Sequence, residues 1–537
     1  MATAAVLRRL LAQPGLLLVV TGRATPGRVE LIEQVVDASE LVSTWWLLPM
    51  ALEARGALRS ALLEGIDRIV GASGPDAAVR MNRERPDADA IKAVGSAPWH
   101  EVTPASVGDL PSSAVLAMGV ASIHVSGYVR EAAVEQLVRS SDARALGFLV
   151  ARANDWVPEV ALAAQRGLSA FTTSARLDAL VPHFDEFIRL ADAQRNTLSP
   201  LVGELRRALL EPQNAHVLEA GLSAPSPRVR RWCLTAALDS SSEDRAALVR
   251  RALGDLDPAV RMEAARAVQR VFDGRERARI ARDMISHPMP AVRSMGLELL
   301  HLDGGPFPEL LSRALLDPSA AVRETARWLS RQIPELDPRV VYRNAIQDRD
   351  EASLAGALNG LGEVGTADDA GIIAPCSNHP RGRVRAATIR ALGRLAPEAF
   401  RTVIEAGLLD YSTPTFRAAL EATAQLGPLP AERVLSLASP GRTRLQRRFA
   451  VYLAERQGFW ESLALLLHLA RSNDAELPRP ISKTLDGWER RMHHVFTKPS
   501  QELALTIERD AAALSDPSLK QRIAPLLELM RFRLETI

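Results

Sequence analysis

The sequence predicts an all-α fold, an α-solenoid or superhelix of stacked antiparallel helix pairs with a period of about 31 residues, and three observations carry that prediction. The first is a beat. An apolar residue followed by Arg, with a small residue soon after, stands at Val229-Arg230, Val260-Arg261, Val292-Arg293, Val322-Arg323, Val384-Arg385 and Phe416-Arg417. Counting a degenerate copy at Leu354-Ala355, the separations are 31, 32, 30, 32, 30 and 32, which independent domains would not keep. The second is composition: 47% of residues are hydrophobic but only 4% aromatic, so the interior is Ala, Leu and Val, which suits closely packed helices better than sheets. The third is helix-start grammar. Five residues before the anchor stand His124, Asp155, Asp255, His287, Asp317 and His379, and prolines such as Pro158, Pro227, Pro258, Pro290 and Pro380 stand two or four before it. Asp accepts from amides left free at a helix start, and Pro fits the first turn, where its missing N–H is not needed.

Taken in order, residues 1–110 do not fit the period and read as a divergent N-terminal helical cap. Their opening, MATAAVLRRLLAQPGLLLVVTGRA, has an apolar stretch broken at Gln13-Pro14-Gly15 and makes a poor signal peptide. Residues 111–170 hold two repeats, anchored at Val129-Arg130 and Val160-Ala161. Residues 171–222 lack the Val-Arg signature and read as longer, irregular helices within the solenoid. Residues 223–430 are the regular run, in which small or apolar residues four apart (Val260, Ala264, Val268) form one inward stripe. Residues 431–537 read as a degenerate repeat followed by a C-terminal cap of helices at 481–496, 499–514 and 517–534.

The strings LGDLDPAVRMEAARAV, LLDPSAAVRETARWL and NHPRGRVRAATIRALGRL resemble HEAT repeats, in particular the short variety first grouped with phycobilisome-lyase-type proteins, over roughly residues 115–430. The resemblance implies that each repeat arginine reaches the turn acid of an adjacent unit, and that the anchor-bearing helices line an inner face that grips a partner.

Against that repeat, the chemically suggestive residues lose their force. His379 shares its position with Asp155, Asp255 and Asp317, and so reads as a hydrogen-bonding turn residue, as do His124 and His287. Gly360-Leu-Gly-Glu-Val-Gly365 matches GxGxxG but follows a helix, whereas a dinucleotide site needs a preceding strand. His493 and His494 are adjacent, about 100° apart on a helix, and cannot ligate a metal together as an i, i+4 pair does. HExxH, GxSxG and Walker motifs are absent, and Cys233 and Cys376 form no CxxC. No cofactor, metal or catalytic residue is expected. Two distant cysteines and the lack of a spanning apolar run point to a soluble cytoplasmic protein that does not act at a membrane.

Charge is nearly balanced over the chain, 66 basic against 64 acidic residues, so any electrostatic role is local. Between 381 and 448 twelve arginines meet five acids, about +7, which leaves about −5 on the rest. The sequence therefore supports a non-catalytic protein-interaction scaffold or adaptor using the inner face. Its candidate partner-binding residues are Arg231, Arg266, Glu298, Trp328, Arg390, Arg442, Arg444, Arg447 and Arg448. Trp328 and Trp232 are expected either to pack between repeats or to stand exposed on that face. An unidentified, acidic protein partner fits the basic segment at least as well as DNA or RNA does, because aromatics that would stack on bases are scarce there. The alternatives are a nucleic-acid-binding protein resembling the HEAT-built alkylpurine DNA glycosylases and, on the family name alone, a bilin-lyase-like enzyme.

Overall fold

The computed structural model describes residues 41–84, 99–172, 176–191, 199–239, 245–305, 307–472, 474, 477–491 and 495–536. The N-terminal 40 residues and the His493-His494 pair lie outside them. Among the described residues all regular structure is helical, with no strand. None of their helices is long and apolar enough to cross a membrane. The chain forms two compact units, Met1–Phe272 and Asp273–Ile537. The boundary falls inside the run 223–430, so regularity of sequence does not mark a unit of structure here.

Each unit is a stack of antiparallel helix pairs, an α-solenoid, in which the second helix of a pair carries the anchor. In the first unit these helices are α1 (Gly127–Ser140), α2 (Pro158–Ser169), α3 (Pro227–Leu238) and α4 (Pro258–Val271). In the second they are α5 (Pro290–Leu302), α6 (Ala320–Ser330), α7 (Leu354–Val364), α8 (Gly382–Leu395), α9 (Thr413–Ala422) and α10 (Arg444–Glu455). Each packs on the helix before it, and successive anchor helices stack: α1 on α2, α3 on α4, α5 on α6, and α7 on α8 on α9. The anchors Val129, Val160, Val229, Val260, Val292, Val322, Leu354 and Val384 are all buried. The segment expected to hold longer helices instead has short ones, Phe184–Ala191, Ser199–Leu209 and Ala215–Leu222, preceded by a 3-10 stretch that contains Pro182. Ahead of the repeats, helices Thr44–Glu53 and Gly56–Ala72 pair with each other.

The repeat arginine links neighbouring pairs. Arg130 donates from Nη1 to the His124 and Val125 carbonyls of its own turn, at 3.0 and 2.9 Å. Its Nε and Nη2 fork onto the Asp155 carboxylate of the next turn, at 3.0 and 2.8 Å. The same fork joins Arg230 to Asp255 (2.8 and 2.7 Å), Arg293 to Asp317 (2.8 and 2.8 Å) and Arg385 to Asp410 (2.7 and 2.8 Å). Each of these carboxylates also accepts the N–H two residues on, from Val157, Asp257, Ser319 and Ser412 at 2.7–3.0 Å, which closes the turn ahead of the helix. Charge-assisted bidentate bonds of this kind are the strong ones.

Departures from the pattern have local causes. The Phe416-Arg417 copy is one residue out of frame: Asp410 sets the turn, so buried Thr415 takes the anchor place, Phe416 the arginine place, and Arg417 points to solvent. Arg323 finds no turn acid ahead of it, where the chain passes through Arg349 at φ 52°, and forks onto Glu363 instead. Arg261 donates only to its own turn, at the Asp255 and Leu256 carbonyls, and its Nε has no partner. At His124, His287 and His379 the ring Nδ1 accepts the i+2 N–H at 3.0–3.1 Å, so histidine reproduces the turn bond of Asp as a neutral ring.

The glycines of 360–365 serve close packing. A Cβ at Gly360 would lie 2.3 Å from the Tyr342 ring, and one at Gly362 would lie 2.6 Å from the Ala391 backbone on α8.

Three outcomes follow from this frame. Asp155→Ala strands a guanidinium in a pair whose side chains are each only 1% exposed, and should cost about 3–5 kcal/mol in urea unfolding. Asp317→Ala, from a pair 13–14% exposed, should cost less. Gly362→Ala should destabilise by about 1–3 kcal/mol, because helix backbone opposite cannot yield, whereas Gly371→Ala, with nothing within 4 Å, should not. The third outcome concerns acid. The Arg230 fork holds Asp255 below the usual carboxylate range, as Arg277 does Asp303; at Asp410 burial pulls upward, but the Arg385 fork and the Ser412 N–H outweigh it. A depressed folded pKa gives stability that is present above the unfolded value, about 3.9, and is lost as pH falls through the folded one. Unfolding free energy measured across that window should therefore fall toward low pH, and Asp410→Asn should flatten the fall while lowering stability at neutral pH.

Candidate functional site

Two kinds of surface stand out from this frame: exposed apolar turns, present in each unit by itself, and the exposed face of the anchor helices in the second unit. The first lies at the turns. The residue just after each turn acid or histidine, and after Ala224 in the equivalent place, is Val125, Trp156, Pro225, Leu256, Pro288, Pro318, Pro380 and Tyr411. All eight are apolar and exposed. Proline there is explained by turn chemistry, since its fixed φ suits the bend. Val125 (51% exposed), Trp156 (68%), Leu256 (95%) and Tyr411 (72%) are not, because the fold gains nothing from apolar side chains in water. Tyr128, 78% exposed, joins Val125 at the same turn in the first unit. The Arg130 guanidinium lies 5.2 Å from the Trp156 ring centroid, and Arg442 lies 5.7 Å from that of Tyr411, so the two aromatics are braced from below. The column was readable as the position after the turn acid, but its four prolines disguise it as ordinary loop chemistry.

The second surface is the exposed face of the anchor helices in the second unit. One position, eight residues beyond the helix start, recurs as Glu298, Trp328, Arg390, Glu421 and Tyr452 on α5, α6, α8, α9 and α10, while on α7, which starts at its anchor Leu354, the equivalent place is buried Gly360 and Asn359 stands beside it. Trp328 is 54% exposed, with its ring edge-on to His301 of the preceding anchor helix, centroids 6.1 Å apart, so it leans on the neighbouring repeat and still presents half its surface to solvent. Trp232 is half-buried against Phe184, with Arg206 over its ring.

Around Glu363 on that face cations outnumber acids. Glu363 on α7 receives Arg323 and, at 2.6 Å, Arg327, with Arg394 at 3.9 Å. Burial pulls the Glu363 carboxyl up, but the Arg323 and Arg327 guanidinium groups overcome it and hold its pKa below the ordinary value. Arg390 on α8 donates from Nε to the neutral Asn359 side chain at 3.1 Å, and its two Nη groups have no protein partner.

The other expected contact residues divide by environment. Arg231, Arg266, Glu298 and Arg448 are exposed, with no hydrogen bond or ion pair to their side chains, and Arg444 is exposed at the start of α10. Arg442 and Arg447 are structural: Arg442 donates to the Leu409 carbonyl at 2.8 Å, and Arg447 donates to the Arg442 carbonyl at 2.8 Å and pairs with Asp474 at 2.6 Å. The expectation of one free patch at 442–448 is corrected accordingly. The same holds for the basic segment as a whole. Arg381 pairs with Glu351, Arg401 with Glu398 and Glu405, and Arg433 with Glu405, so Arg383, Arg417 and Arg448 are left exposed and partnerless.

Nothing in the described residues gathers reactive groups. No three His, Cys, Asp or Glu side chains there converge to hold a metal. Burial pushes the Cys233 thiol up to about 12, which keeps it protonated at neutral pH.

No protein-family model and no curated protein matches the chain. Among solved structures it is similar to importin beta in an ammonium sulfate condition, at 12% identity and a TM-score of 0.33, over 97% of this chain and 70% of that one. It is also similar to Kap95p in a structure describing its binding to RanGDP, at 14% identity and a TM-score of 0.31, over 99% and 70%. A third likeness is to a homology model of the full-length AP-3 complex in an intermediate open conformation, at 13% identity and a TM-score of 0.25, over 91% and 93%. None of the three is a phycobilisome-lyase-type protein. Values this low leave the fold to be argued from the repeat geometry itself, which keeps the HEAT-type features of stacked helix pairs joined by a turn acid and an arginine fork.

Proposed function

We propose that this chain is a non-catalytic protein-interaction scaffold that binds through surfaces repeated along its helix pairs. The observation that carries the reading is the apolar turn column of the first unit, where Val125, Tyr128, Trp156 and Leu256 stand in solvent on turns that the arginine forks fix. Single exposed apolar residues are ordinary, but recurrence at one structural position is the mark of a built surface. Aromatic anchors on a pre-organised frame are what tight protein interfaces use.

The nucleic-acid reading loses its basis, because most of the arginines that made 381–448 basic are paired with acids or backbone carbonyls. A phosphate-binding strip requires them free and in line.

Serine at Tyr128, Trp156 and Leu256 together tests the proposal. Each side chain is more than two-thirds exposed, so unfolding should change by no more than about 0.5 kcal/mol per site. Proteins that co-purify with the wild-type chain from its host after nuclease treatment, identified by mass spectrometry, should be lost from the triple variant. An identical set on both chains would overturn the scaffold reading at this surface, and retention that vanishes with nuclease would restore nucleic acid.

A further inference from the structure

The arginine excess on the second unit points to a more specific ligand chemistry. Arg390 on α8 is half-buried, and only its Nε is satisfied, by the neutral Asn359 oxygen on the neighbouring α7. Burial lowers its pKa from the ordinary arginine value; the attraction of Glu421 opposes this, and the like charges of Arg394 and Arg323 add to it more weakly. Glu363, the acid in reach of the neighbouring arginines, is already shared among Arg323, Arg327 and Arg394. A guanidinium fork that is partly desolvated and faces like charge is the arrangement that a bidentate oxyanion stabilises most.

We propose that Arg390, with Arg394 beside it, receives a carboxylate from an extended acidic segment of a protein partner, and that Trp328 takes an apolar side chain of the same segment. This rests on the scaffold reading above. Helices α6, α7 and α8 are successive neighbours, and packed helices lie about 8–10 Å apart, so Trp328 and Arg390 stand roughly 20 Å from each other. An extended chain covers that in about six residues at ~3.3 Å each. The exposed acids Glu298, Glu324 and Glu421 on the same run of helices favour a peptide over a nucleic acid. They repel a continuous phosphate backbone, whereas a peptide can place its carboxylates only where the arginines are.

The full-length chain is titrated with fluorescein-labelled decapeptides carrying an Asp-Asp pair and a Leu two to eight residues apart, with Lys-for-Asp versions and a 20-residue oligo(dT) alongside. Members with a separation near six should bind, should weaken as salt rises, and should bind far better than their Lys versions. Arg390→Gln keeps an amide donor for Asn359 but loses the fork, and should weaken binding about 10- to 100-fold. Arg383→Gln, exposed and partnerless but off this column, should change nothing. Trp328→Ser should weaken only peptides whose Leu is at the matching separation. Arg394→Gln serves as the second variant should Arg390→Gln unfold by circular dichroism. The proposal is overturned if no member binds, if Arg390→Gln and Arg383→Gln behave alike, or if oligo(dT) binds in an Arg390-dependent way. Failure here, with co-purifying proteins still lost from the first-unit serine variant, would remove this inference and leave the scaffold reading standing.

Discussion

The fork from a repeat arginine to the next turn's aspartate is the contact on which the rest of each unit depends. Apolar stacking between alanine- and valine-rich helices is favourable but nearly non-directional, so it does not by itself fix how one pair sits on the next. The fork does, because a guanidinium has one plane and two parallel N–H vectors, and because the carboxylate that receives them is already tied to the backbone two residues on. One arginine thus ties its own turn, through two carbonyls, to the neighbouring turn, through two carboxylate oxygens. Burial raises the stakes: at Arg130 and Asp155 neither side chain reaches water, so neither is tolerable without the other.

Variation along the ladder obeys the same electrostatics. Ala355 stands in the arginine place of the unit before His379, so neither half of a rung is present there, and the neutral ring keeps only the turn bond. Arg323, which has an arginine where its acid would be, turns to Glu363 and starts the charge cluster on the α6 to α8 face. A fault in a structural ladder and a candidate binding surface therefore occupy the same place. The glycine-rich α7 belongs to this arrangement, since Gly362 lets it approach the Ala391 backbone of α8, next to Arg390.

The two surfaces have opposite characters. The turn column of the first unit offers apolar groups held out in water, where binding gains by removing them from it. The helix face of the second offers a fork that lacks an anion, where binding gains by supplying one. Neither needs a reaction centre, and the thiol of Cys233 is withdrawn into the packing between helices rather than presented at a surface.

What the sequence determined by itself was whatever repeats: the helical class, the period, the buried anchors and the turn role of histidine. A repeat samples one environment many times, so a pattern across copies reports that environment without coordinates. Tertiary structure alone decided the matters that hang on a single copy. The frame at Thr415 and Phe416 follows from Asp410, and a Phe-Arg pair imitates the signature one residue too late. The unit boundary after Phe272 is not marked by the repeat, and the partners that tie down Arg442 and Arg447 and the open fork of Arg390 depend on residues some 30 positions away in sequence. Periodicity tells which face a residue lies on; only the folded chain tells whether something already occupies the space in front of it.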